Sequence, residues 1–150
     1  MKNIHYTTAD LISPWAKVKL DVQNMPLPDN GYDVIFCNHV LEHVPSDLKA
    51  MSELYRVMKP GGFGIFQVPL DTKIDKTLED SAINIPELRE KHYGQRDHVR
   101  LYGTDYAQRL RSVGFDVTED DFVNQLDSAL VARYCLPKDE ILYICRKPVQ

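Results

Sequence analysis

Hydrophobic and polar positions change period several times along the chain, and each change predicts an element. Residues 4–8 form a short extended run leading to Asp10, and between residues 16 and 22 Val18 and Leu20 alternate with Lys17 and Lys19 before Asp21. Two short strands that each end in a carboxylate are expected there. After the turn-rich stretch PLPDNG, residues 32–37 are nearly all apolar, the pattern of a parallel strand covered on both faces. Ser46 is placed to cap a helix whose stripe is Leu48, Met51, Leu54, Tyr55 and Met58, and Lys59-Pro60-Gly61-Gly62 reads as its stop. A second buried strand at residues 63–68 puts strand, helix and strand in the order of a right-handed parallel crossover.

Residues 70–103 are polar and weakly periodic, longer than an ordinary connection, and are expected to form a lid with short helices in it. Thr104 is the expected N-cap of a helix through Tyr106, Leu110 and Val113 that ends at Gly114, with an extended stretch at residues 115–117 after it. A short helix at residues 128–134 precedes Pro137 and Asp139, which turn the chain into a last strand at residues 141–145, fit for an antiparallel edge. The organisation expected is one domain over residues 1–150 with a lid-like insertion around residues 70–103.

Composition narrows the partners. The 150 residues carry a formal net charge of -4, which argues against bulk attraction to nucleic acid or acidic membranes and favours a small-molecule partner. Of three cysteines, Cys37 and Cys145 sit in apolar runs and none forms a CxxC pair; reduced thiols and a cytoplasmic location are the expectation. No apolar run approaches the roughly 20 residues that cross a bilayer, and the start MKNIHYTTADL lacks the apolar core of a signal peptide.

Three stretches, LDVQNMPLPDNGYDVIFCNHVLEHV, SDLKAMSELYRVMKPGG and FGIFQVPL, together resemble the class I S-adenosylmethionine-dependent methyltransferases of the methyltransferase type 11 group, with their D-V-x-x-L-P, F-D-x-V, L-E-H-V and E-x-x-R-V-L-K-P-G-G pattern. HVRLYGTDYAQRLRSVGFDV resembles the segment leading into that family's last helix and strand, so nearly the whole chain is covered. The resemblance implies an α/β, Rossmann-like, doubly wound and mostly parallel sheet, with S-adenosylmethionine as cofactor bound outside the carboxyl ends of the strands. It places Asp10, with Leu11, at the ribose hydroxyls, Asp21 and Val22 beside the adenine, and Asn38 and His39 against the methionine moiety, with Glu42 or His43 shaping the pocket. Each has an ordinary alternative: a turn aspartate for Asp10, a solvated strand end for Asp21, a helix N-cap for Asn38. Arg56, Lys59, Gly61 and Gly62 belong to the pattern but read as structural, since a helix stop needs such residues. In the lid, Gln95, Arg100 and Tyr102 are candidates to meet a methyl acceptor, and His98 is the candidate proton acceptor near neutral pH.

The family's opening strand and G-x-G-x-G turn have no counterpart here, because Gly61 and Gly62 follow a helix and precede a strand. The resemblance implies a sheet ordered 3-2-1-4-5-7-6, so the absent first strand is the central one and its first helix is absent too. Three remedies are open: strand 2 closes onto strand 4, the amino-terminal strands detach, or another chain, by preference a second copy, fills the gap. Two rival functions also follow. A non-catalytic binding or assembly module would keep the fold and lose the chemistry. His39-Val40-Leu41-Glu42-His43 matches the H-x-x-E-H zinc hydrolase motif, which requires one continuous helix and a third ligand; with Pro45 closing the segment, no metal site is expected.

Overall fold

The chain builds two sheets where the family order implies one. In the computed structural model, which describes residues 4–149, β1 (Ala9–Asp10) and β2 (Val18–Lys19) pair in parallel with each other alone. The second sheet has four strands in the order β3-β4-β6-β5. β3 (Tyr32–Phe36) and β4 (Met58–Ile65) are parallel, while β6 (Leu142–Arg146) runs antiparallel between β4 and β5 (Asp116–Asp120). This is the implied order split at its centre: β1 does not close onto β3, the amino-terminal pair is detached from the main sheet, and the outer edge of β3 has no strand beside it among the described residues.

Helix α1 (Asp47–Val57) follows from its cap and its stripe. Ser46 Oγ accepts from the Lys49 amide at 3.4 Å, and Ala50, Met51, Leu54 and Val57 bury one face against the sheet, whereas Leu48, expected in that stripe, is exposed. The stop comes earlier than expected. Met58 is already extended, and Lys59-Pro60-Gly61-Gly62 lies inside β4, where Gly61 takes a φ of 79° and its amide bonds the Lys147 carbonyl at 2.8 Å. The Lys147 ammonium reaches the Tyr55 and Met58 carbonyls at 2.8 and 2.9 Å, satisfying acceptors that a helix leaves orphaned at its end. Arg56 is structural, as expected: its guanidinium donates to the Met25 and Leu27 carbonyls and to Glu53 and Asp29, tying the stretch before β3 to α1.

The core lies on one face of the main sheet, where Cys37, Phe66, Val117, Tyr143 and Cys145 meet α1 and α3 (Tyr106–Ser112). Asp105, not Thr104, stands at the N-cap of α3 and makes no side-chain capping bond. Burial pushes the Cys37 and Cys145 thiols up to about 12, so both remain protonated. The other face is open at β3. Val34 and Phe36 are 41% and 65% exposed, so the strand expected to be buried on both sides is covered on one only. The segment at residues 70–103 contains α2 (Pro86–Tyr93), and isolated bridges from Leu70 to Tyr102 and from Leu78 to Leu101 pin its two ends together. A 3-10 turn at Phe122–Gln125 and α4 (Ser128–Tyr134), where a short helix was expected, complete the chain. No helix among the described residues is long and apolar enough to cross a membrane.

Candidate functional site

The carboxyl ends of β3 and β4 open into a cleft of about 200 Å³ lined by His39, Gln67, Leu70, Glu140, Ile141 and Tyr143, among others. Backbone pairing sets its floor. The Cys37 amide bonds the Ile65 carbonyl at 3.1 Å, the His39 amide bonds the Gln67 carbonyl at 2.8 Å, and the Asn38 Oδ1 accepts from the Gln67 amide at 3.2 Å. Asn38 thus links two strand ends rather than capping a helix. His39 takes the left-handed φ of 55°, an uncommon conformation for a residue with a Cβ, and its side chain is 65% exposed at the rim.

Gln67 is the residue that sequence reasoning missed. Its amide donates to Glu140 Oε1 at 2.7 Å and to the Ile141 carbonyl at 2.9 Å, and its oxygen accepts from the Tyr143 amide at 2.9 Å. It therefore fixes the β6 side of the cleft against β4. A lone polar residue in the apolar run FGIFQV was the signal available.

The other candidates are placed as follows. Asp10 ends β1; its Oδ1 accepts from the Ile12 and Ser13 amides at 2.8 and 2.7 Å, and the Ser13 bond, then the Ile12 bond, holds its carboxyl below the usual range. Leu11 beside it is 64% exposed. Asp21 turns on itself, accepting from the Gln23 amide at 2.8 Å, and Val22 packs against the core. Gln95 is exposed. Arg100 and Tyr102 are buried and occupied within the protein: the Arg100 guanidinium donates to the Leu41, Val44 and Pro45 carbonyls at 2.6, 2.7 and 3.0 Å and to Glu79, and the Tyr102 hydroxyl lies 3.0 Å from Asp47 Oδ2. His98 is buried, with Nδ1 at 3.1 Å from the Tyr93 carbonyl, and lines neither this cleft nor a second one of about 380 Å³ around Glu79, Asp80, Asn84 and Arg89. The segment from His39 to His43 is a bend followed by a turn, so the helix that the zinc hydrolase motif requires is not there.

Beneath the cleft-side loop lies a buried charge cluster. Arg109 grips both oxygens of Asp47 at 2.8 Å, and Arg100 stands 3.9 Å away. Burial raises the Asp47 carboxyl, but the Arg109 bonds and the Arg100 and Arg109 charges outweigh it and leave it below its ordinary value. A carboxyl lowered on folding contributes stability above its unfolded value of about 3.9, lost as pH falls through the folded value. Urea denaturation is therefore expected to show a steeper loss of stability between pH 5 and pH 2 for the wild-type chain than for Asp47→Asn; parallel curves would remove Asp47 from the acid transition.

Comparison with known proteins agrees with this geometry. Residues 4–66 match the family described as a methyltransferase domain. The chain is 29% identical to the sterol 24-C-methyltransferase erg6 of Schizosaccharomyces pombe over 74% of its own length and 29% of that protein's. It is 32% identical to the arsenite methyltransferase of Aquipseudomonas alcaligenes over 75% of its own length and 32% of that protein's. The chain thus spans about a third of the length of these relatives. Its fold matches that of an S-adenosylmethionine-dependent methyltransferase from Mesorhizobium loti with a TM-score of 0.59 at 15% identity, covering 93% of this chain and 78% of that one. By its matched segment, its strand order and these relatives, the chain is similar to the class I S-adenosylmethionine-dependent methyltransferases.

Proposed function

We propose that the chain forms the adenosine side and the acceptor side of a methyltransferase site for a small-molecule acceptor, and that a strand from a partner chain, a second copy by preference, completes it. The observation that carries this reading is the cleft at the carboxyl ends of β3 and β4 with His39 at its rim, the place where ligands bind in open α/β sheets. When bound, S-adenosylmethionine supplies the methyl group.

The residues present fit the adenosine end of that cofactor. Among the described residues Asp10 keeps Oδ2 free beside exposed Leu11, Ile12 and Trp15, an acceptor next to apolar side chains suited to a ribose and a flat ring. Gln67, Leu70 and Tyr143 hold and orient the acceptor, whose alignment with the transferred methyl is the main contribution a protein makes to such a reaction. Among the described residues no glycine-rich turn joins a strand to a helix. The free edge of β3 and exposed Val34 and Phe36 support a partner strand, because parallel sheets are stable when paired and covered on both faces.

Calorimetric titration with S-adenosylmethionine and S-adenosylhomocysteine, with light scattering on the same sample, tests the reading. The expected result is an associated chain that binds both ligands at about micromolar Kd, weakened at least about tenfold by Asp10→Ala. A monomer that binds neither ligand at about 1 mM would refute it and favour a non-catalytic module.

A further inference from the structure

The turn after β3 gathers donor atoms whose arrangement the methyl-transfer reading does not use. Glu42 is 2% exposed, and its Oε2 has no hydrogen-bond partner among the described residues. Its only ion-pair neighbours among the described residues are two histidines, His39 Nδ1 at 3.4 Å and His43 Nε2 at 3.9 Å from Oε1. A buried carboxylate without a cation is costly, and such groups are paired or coordinate a metal. The lid supplies the missing element: one ligand atom each from Glu42, His43 and His98 lie within 4.8 Å of one another.

Both imidazoles are held from behind. His98 Nδ1 donates to the Tyr93 carbonyl at 3.1 Å, which leaves its Nε2 lone pair free, and His43 Nδ1 faces Asp97 Oδ2 at 3.2 Å, which turns its Nε2 toward Glu42. The rings stand edge to face, with centroids 4.8 Å apart. Metal-bound histidines are oriented in this way, by a carbonyl or carboxylate on the nitrogen away from the metal. Ligand atoms about 2.0–2.2 Å from a tetrahedral ion stand about 3.3–3.6 Å apart, so separations of up to 4.8 Å close by roughly an ångström when the ion binds, through rotation of the side chains.

We infer that Glu42, His43 and His98 form a binding site for a first-row divalent transition cation such as Zn2+. Two imidazoles and one carboxylate suit Zn2+, Fe2+ or Co2+, whereas Mg2+ and Ca2+ favour oxygen ligands. Three protein ligands leave at least one position for water or another small donor. The ion joins the loop after β3 to the lid, two segments that no local sequence motif connects.

Chelator-treated chain titrated with Zn2+, and separately with Co2+ followed by its visible absorption, tests the site. One ion per chain with about micromolar Kd or tighter is expected, with the Co2+ bands of a nitrogen and oxygen ligand set. Glu42→Gln, nearly isosteric, and His98→Ala should each weaken binding at least about 100-fold, while His92→Gln, an exposed histidine on α2, leaves it unchanged. Absence of binding at about 1 mM Zn2+, or wild-type affinity in Glu42→Gln, overturns the assignment. If His98→Ala does not fold, Glu42→Gln and the Co2+ spectrum decide. None of these measurements depends on binding S-adenosylmethionine.

Discussion

Arg100→Ala is expected to destabilise the fold by about 3–5 kcal/mol, measured as a shift in urea denaturation at pH 7. The side chain is 2% exposed and its guanidinium serves the Leu41, Val44 and Pro45 carbonyls, all in a stretch of turns with no helix or ladder to satisfy them. Removing the donor leaves the half-buried Val44 carbonyl without its partner and the buried Leu41 carbonyl with the Tyr102 hydroxyl alone, at about 1–3 kcal/mol for each lost bond that water cannot replace. It also deprives Asp47 and Glu79 of a positive neighbour. Arg100→Lys is expected to recover less than half of the loss, because one ammonium cannot reproduce a planar fork that reaches three carbonyls. Arg96, which pairs with Glu87 and Glu90 in solvent, is the contrast: Arg96→Ala should cost under about 1 kcal/mol. A loss that small for Arg100→Ala would show that water replaces the guanidinium and that the loop does not rely on it.

Phe66→Ala is expected to cost a comparable 3–5 kcal/mol, about the range for deleting a buried aromatic ring. Phe66 is fully buried just past the end of β4, edge to face with Phe115 at 5.4 Å, and Phe115 is in turn edge to face with Tyr55 at 5.1 Å. The ring therefore joins the sheet to the layer formed by α1 and the start of β5. Relaxation into the cavity is restricted by Gly64, whose backbone passes so close that an added Cβ would lie 2.6 Å from the ring and 2.8 Å from the Ile35 carbonyl oxygen. Against a total stability of about 5–15 kcal/mol, thermal unfolding should shift down by about 6–20 °C for a domain of this size. A shift of only a few degrees would mean that the neighbouring side chains close the void.

Much of the chain was legible because the signals involved are local. A cap at Ser46, a 3.6-residue stripe and a short apolar run each act within a few residues, and α1, β3 and α4 were found where those patterns placed them. Local signals misled where pairing decided the outcome. Lys59-Pro60-Gly61-Gly62 reads as a helix stop, yet the Gly61 amide finds the Lys147 carbonyl far along the chain and the stretch becomes part of a strand. Within the candidate site, Asn38 and His39 were found at a strand end, but Gln67 was not, because its partners Glu140 and Tyr143 lie more than seventy residues away.

By itself the sequence determined the likeness to methyltransferases, the order of strands and helices and the turn that closes β3, since motif, period and turn chemistry are properties of neighbouring residues. Tertiary structure alone decided that β1 and β2 stand apart from the main sheet, that Arg100 and Tyr102 face inward, and that His98 meets Glu42 and His43 across 55 residues of chain. The physical reason is that desolvation and strand pairing depend on which distant groups arrive at the same place. A polar lid residue is committed to solvent or to the interior only once the unsatisfied carbonyls of another segment are there to receive it.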